Sequence, residues 1–77
     1  MNEKVMWADG MCYFYGTAIG YEENEFLIRM EWQSWYNEGK DVEVRRNSRY
    51  MQKSINNLEQ WDGKPPEGIR IDLPTRR

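Results

Sequence analysis

The chain has 77 residues, 39% hydrophobic and 31% charged, with one cysteine, no histidine and a net charge of −2. A chain this short forms one domain with a thin core, which Cys12 alone cannot staple with a disulfide and no Cys/His set can tie to a structural zinc. No apolar run approaches the ~20 residues that span a bilayer, and the stretch MNEKVMWADG lacks the apolar core of a signal peptide, so a cytoplasmic protein without membrane contact is expected.

Turn signals at Asp9-Gly10, Gly20 to Asn24 and Asn37 to Asp41 divide residues 1–45 into four strand-length pieces. The first, Val5 to Trp7, is short. In the second, Met11 to Ile19, alternation puts Cys12, Phe14, Gly16 and Ala18 on one face and Met11, Tyr13, Tyr15, Thr17 and Ile19 on the other. In the third, Phe26, Ile28, Met30 and Trp32 alternate with Glu25, Leu27, Arg29 and Glu31, the pattern of a half-buried strand. Val42 and Val44, flanked by charges, make a short fourth strand that reads as an edge.

Beyond Val44 the period changes. Met51, Ile55, Leu58 and Trp61 recur every three to four residues, with Asn47 or Ser48 available as an N-cap, which predicts an amphipathic helix over 48–61. Asp62-Gly63 and Pro65-Pro66 end it. Ile69, Ile71 and Leu73 then alternate with Arg70 and Asp72, so a last strand is expected to rejoin the sheet, with 75–77 as a frayed tail after a single domain over 1–74. The fold expected is therefore α+β: a small SH3-like β-barrel, or a strongly bent antiparallel sheet of about five strands, with one helix near 48–61.

Trp7-Ala8-Asp9-Gly10, Tyr13 to Tyr15, Gly16-Thr17, Ile19 and the apolar strand Phe26 to Glu31 together resemble Tudor-type domains, across about residues 7–44. The resemblance implies a small SH3-like barrel. It also implies a cage that takes a methylated lysine or arginine by cation–π attraction, at Trp7, Tyr13 or Tyr15, Met30 and Tyr36. Met30 stands where that family has an aromatic ring.

Nine of the eleven aromatic residues lie between Trp7 and Tyr36, more than so small a core needs. Trp7, Phe14, Phe26, Trp32 and Trp61 sit at spacings that suit burial. Tyr13 and Tyr15 share the outer face of the second strand, and Trp35 and Tyr36 lead into a turn; rings left in water mark a contact surface unless the helix covers them. The expected site for a protein partner is thus Trp7, Tyr13, Tyr15, Met30, Trp35 and Tyr36. A homodimer formed along the edge-like fourth strand would bury the same rings.

Charge is distributed unevenly. Residues 1–43 carry nine carboxylates against three cations, and residues 44–77 carry eight cations against four carboxylates. The halves either compensate each other or leave a basic face for nucleic acid, built on Arg45, Arg46, Arg49 and Lys53, with Arg49 and Lys53 four apart on the expected helix. Pairing of these cations with Glu22, Glu23 and Glu25 is the plainer alternative.

Catalysis has little to work with. Without histidine there is no imidazole base or metal ligand, Cys12 has no activating partner, and Glu22, Glu23 and Glu25 crowd a turn that would not desolvate them. No glycine-rich phosphate loop is present, and no cofactor is expected. The sequence points to a non-enzymatic protein-interaction module. A nucleic-acid-binding accessory protein, and a small inhibitor of a larger complex encoded by a mobile element, are the alternatives.

Overall fold

The computed structural model describes residues 2–37, 41–54, 56 and 58–70. Strands β1 (Glu3–Asp9), β2 (Cys12–Glu22) and β3 (Glu25–Asn37) form an antiparallel meander. Its two connections are two-residue turns. Gly10 (φ 67°) leads the first, between the paired residues Asp9 and Cys12, as glycine does in a type II′ turn. Glu23 (φ 53°) and Asn24 (φ 68°) form the second, between Glu22 and Glu25, with the two left-handed residues of a type I′ turn. Asparagine tolerates that conformation, whereas glutamate is held in it at some cost.

Strand β4 (Asp41–Arg46) pairs with the second half of β3, Trp32 to Asn37, and β5 (Tyr50–Ser54) pairs with the first half, Glu25 to Arg29. Two short strands finish the sheet. β6 (Glu59–Gln60) lies along Val5 and Met6 of β1, and β7 (Ile69–Arg70) runs parallel to Glu43 and Val44 of β4. The order is β6-β1-β2-β3-β4-β7, with β5 beside β3. Since β6 and β7 do not pair with each other, the sheet is open.

This architecture corrects the expected α+β fold, because the described residues contain no α-helix at 48–61. Residues 50–54 are strand, and 59–60 are strand as well. The physical reason lies in β3, whose 13 residues far outrun the six of β4 and leave the polar backbone of Glu25 to Arg29 without a partner. Pairing that edge satisfies a row of backbone groups and sets Met51 opposite Ile28, whereas a helix of about 14 residues is marginal without tertiary support. Asn47 makes the bond expected of a cap, its Oδ1 accepting from the Arg49 amide at 3.0 Å, but it turns the chain into a second strand. The fourth strand is also no free edge, since β7 covers Glu43 and Val44. Ile55 of the expected helix, Ile71 and Leu73 of the expected last strand, and the 75–77 tail lie outside the described residues.

Two irregularities shape β2 and β3. Tyr15 pairs with Trp32 and Gly16 with Met30, so Glu31 is an extra residue; Ala18 pairs with Ile28 and Gly20 with Leu27, so Ile19 is another. The bulge at Glu31 reverses the alternation. Met30 stays with Val5, Trp7, Ala18 and Ile28 in a core on the first face, with Phe14, Phe26 and Leu58 against it. Trp32 moves to the second face and joins Tyr15, Val44 and Trp61 in another core, flanked by Met6 and Val42. The single apolar face expected of β3 is therefore corrected: its apolar residues serve two cores on opposite sides of one sheet.

Gly16 stands beside the bulge, where a Cβ would lie 2.6 Å from the Arg29 carbonyl oxygen and 2.8 Å from Cγ2 of Ile28. Gly16→Ala should lower stability by about 2 kcal/mol, read as a drop in the urea midpoint, because backbone must move to admit the methyl group. Glu23→Asn, at an exposed position that strains glutamate, should raise the same midpoint by the equivalent of about 0.5 kcal/mol.

Candidate functional site

The second face carries a groove of about 450 Å³ between the sheet and residues 61–67. Tyr13, Tyr15, Ser34, Tyr36 and Val42 come from the sheet; Trp61, Lys64, Pro65 and Pro66 come from the strap laid over it. Tyr15 and Trp61 make the floor, both buried, with ring centroids 5.5 Å apart, and the Tyr15 hydroxyl meets Ser34 Oγ at 3.3 Å. Tyr13 and Tyr36 stay in water, 40% and 51% exposed. Trp35 also lines the groove and is half-buried.

Local chemistry holds the strap in place. The Trp61 amide donates to the Lys4 carbonyl at 3.1 Å and its indole N–H to the Lys64 carbonyl at 2.9 Å, while the Lys64 amide donates to Asp62 Oδ1 at 2.9 Å. Gly63 (φ 87°) allows that turn. Gly68 (φ 155°) brings the chain back against β4 so closely that a Cβ would lie 2.5 Å from the Val42 carbonyl oxygen. Asp62-Gly63 and Pro65-Pro66, read from sequence as a helix stop, instead build one wall of the groove. Trp61, read as helix core, is its floor.

Of the six expected partner-binding residues, Tyr13, Tyr15 and Tyr36 gather on this face, while Trp35 borders the groove but pairs with Cys12, on the face of Phe14. Trp7 and Met30 are buried in the core of the opposite face. The positions that the Tudor resemblance nominates for a cage are therefore divided between the two sides of the sheet.

The four basic residues are divided too. Arg45 pairs with Gln33 and Arg46 with Trp32, so the two arginines point to opposite faces. Arg46 lies over the Trp32 ring at 5.2 Å and Lys53 over Trp7 at 5.7 Å. Arg49 and Lys53 do not share a helix face, since residues 50–54 are strand. Among the described residues none of the four cations forms an ion pair with Glu22, Glu23 or Glu25.

Sequence reasoning gave no role to Lys4, Thr17 and Glu31, which meet under the bulge. Lys4 Nζ donates to Glu31 Oε2 at 3.0 Å and to Thr17 Oγ1 at 2.9 Å, Thr17 donates to the same carboxylate oxygen, and the ammonium lies 5.6 Å from the Trp61 ring centre. Partial burial pushes the Glu31 carboxyl up, but the hydrogen bonds from Thr17 and Lys4 and the charges of Lys4 and Arg29 outweigh it and hold the group below its usual value. No signal in the sequence marked this site, since Glu31 falls in phase with the polar positions Glu25 and Arg29 of the expected alternation.

Among the described residues no group of three or more acidic, cysteine or histidine side chains could hold a metal ion, and no helix is long and apolar enough to cross a membrane. Compared with protein-family models, curated proteins and solved structures, the chain matches none.

Because the folded Glu31 carboxyl titrates below its unfolded value, its contribution is present at neutral pH and is lost as pH falls through the folded value. Glu31→Gln should cost about 1 kcal/mol at neutral pH, because water screens the pair at Lys4, which is 41% exposed. Urea titrations at about pH 7 and about pH 3 should show the gap between wild type and variant closing at the lower pH.

Proposed function

We propose that the protein is a non-enzymatic interaction module that takes an extended segment of a partner protein in the second-face groove. The observation that supports this is the pairing of a rigid buried floor, Tyr15 on Trp61, with two exposed tyrosines, Tyr13 and Tyr36, and a proline wall. Tyrosine and tryptophan offer large contact area with few torsions to freeze, and Pro65-Pro66 adds a wall with little entropy left to lose. The hydroxyls of the exposed Tyr13 and Tyr36 remain available to a peptide backbone, whereas the polar tips of Tyr15 and Trp61 are engaged by Ser34 and Lys64.

The reading requires that the exposed rings carry affinity and the buried ones carry structure. A tagged pull-down from nuclease-treated lysate, followed by titration of the captured partner, separates the two. Tyr13→Ala and Tyr36→Ala should each weaken binding by about tenfold or more, at low and high salt alike, with thermal unfolding nearly unchanged. Tyr15→Ala should lower the unfolding temperature as well, since it empties the floor of the core. Binding that collapses on nuclease treatment, or that survives both exposed-tyrosine variants, would overturn the reading.

A further inference from the structure

On the first face, across the sheet from the groove, another cavity of about 290 Å³ lies where the kink between β4 and β5 faces the bulge of β3. Its lining combines an apolar floor, Phe14, Met30 and Met51, with Gln33, Arg45 and Arg49. No carboxylate lines it among the described residues. Arg45 Nε is buried there and has no hydrogen-bond partner among those residues. A guanidinium N–H shut away from water without an acceptor is costly, and such a group is the kind a ligand satisfies.

The polar neighbours are already oriented. The Arg49 amide donates to Asn47 Oδ1 at 3.0 Å, and Asn47 Nδ2 donates to Gln33 Oε1 at 2.8 Å. The bond from Asn47 turns Gln33 Oε1 toward Asn47 and leaves the Gln33 amide N–H groups as donors. The unpartnered Arg45 Nε–H and the Arg49 guanidinium are donors on cations, with the Gln33 amide beside them, and their common complement is an oxyanion.

We propose that this cavity is a phosphate site, with Arg45 and Arg49 as the charged partners, Gln33 as a directional donor and Asn47 as the positioning residue. The volume exceeds that of an inorganic phosphate ion, and Phe14, Met30 and Met51 offer a surface for a flat or apolar substituent. The ligand class is therefore a phosphate ester carrying such a group: a nucleoside monophosphate, or one unit of a single strand of nucleic acid. The site is independent of the groove on the other face.

The test is a nitrogen-resolved NMR titration of the intact chain with uridine monophosphate, uridine, inorganic phosphate and an oligothymidylate of about ten nucleotides. Saturable shifts of the Gln33 and Asn47 side-chain amides and of the Arg45 Nε–H are expected, with uridine monophosphate binding about tenfold or more tighter than uridine. Arg45→Lys, which keeps charge but loses the Nε donor, should weaken uridine monophosphate by about tenfold, and so should Arg49→Ala. Tyr13→Ala, which alters the groove on the other face, should leave the affinity for uridine monophosphate unchanged. Tighter binding of the oligonucleotide than of the mononucleotide assigns the site to a strand, and the reverse assigns it to a small phosphorylated metabolite. If Arg45→Lys fails to fold, Arg49→Ala decides alone, its side chain being exposed. Uridine monophosphate binding no better than uridine, or binding to folded Arg49→Ala as to wild type, overturns the proposal.

Discussion

Glu31 has no partner across β2, β4 or β5, and the rest of the molecule is arranged around that gap. On one side β2 skips it. On the other, β4 and β5 part at Asn47 to Arg49, where the Asn47 amide donates to the Glu31 carbonyl at 3.0 Å and the Met30 amide to the Arg49 carbonyl at 2.7 Å. The carboxylate is held by Lys4 and Thr17. A bulge inserts one residue and so exchanges the faces of everything beyond it. Here it is fixed by a charged hydrogen-bond network, which resists slippage better than apolar packing would, since apolar contacts have no direction.

The exchange of faces explains the excess of rings. A sheet with one buried face needs one core, but this one, made from 77 residues, has two. Neither core is deep. Large side chains compensate, because an aromatic ring removes far more apolar area from water than the aliphatic side chain it replaces. The first core stacks Phe14 on Trp7 at 5.5 Å, and the second is closed by Trp61, delivered from outside the meander by the strap. The same strap leaves Tyr13 and Tyr36 uncovered, so the groove is a consequence of how the second core is closed.

The uneven charge along the chain resolves in an unexpected way. Among the described residues, the basic second half does not pair with the acidic turn at Glu22 to Glu25. Arg46 and Lys53 instead lie over Trp32 and Trp7, and Lys4 lies over Trp61 as well as pairing with Glu31. Each cation–π contact is worth about 0.5–1 kcal/mol at a partly exposed site, and the stems of these side chains shield ring edges from water. Arg45 and Arg49 are left over. They meet at a cavity because the kink at Asn47 to Arg49 brings the ends of β4 and β5 together there.

The first four strands were legible from residue pattern alone, because alternation and turn chemistry act over a few neighbouring residues. Gly10 and Asn24 have the backbone freedom their turns require, and Tyr13, Phe14, Tyr15 and Thr17 favour the extended chain wherever it packs. Tyr13 and Tyr15 were legible as neighbours on one face of β2 for the same reason, whereas Trp35 and Tyr36, expected to lead into a turn, are strand residues because β3 runs on to Asn37. Three things were decided only by tertiary structure. Residues 50–54 belong to the 48–61 stretch with a helical period, yet became strand because β3 outlasts β4 and an unpaired backbone edge outweighs local propensity. Trp32 left the face of Met30 because one residue, Glu31, was set aside for Lys4 and Thr17, which are 27 and 14 positions away in sequence. Trp61 and the two prolines became the floor and wall of a groove because Lys4 captures the Trp61 amide. Local rules report what a segment prefers, and a long strand with spare hydrogen-bonding capacity selects which preference survives.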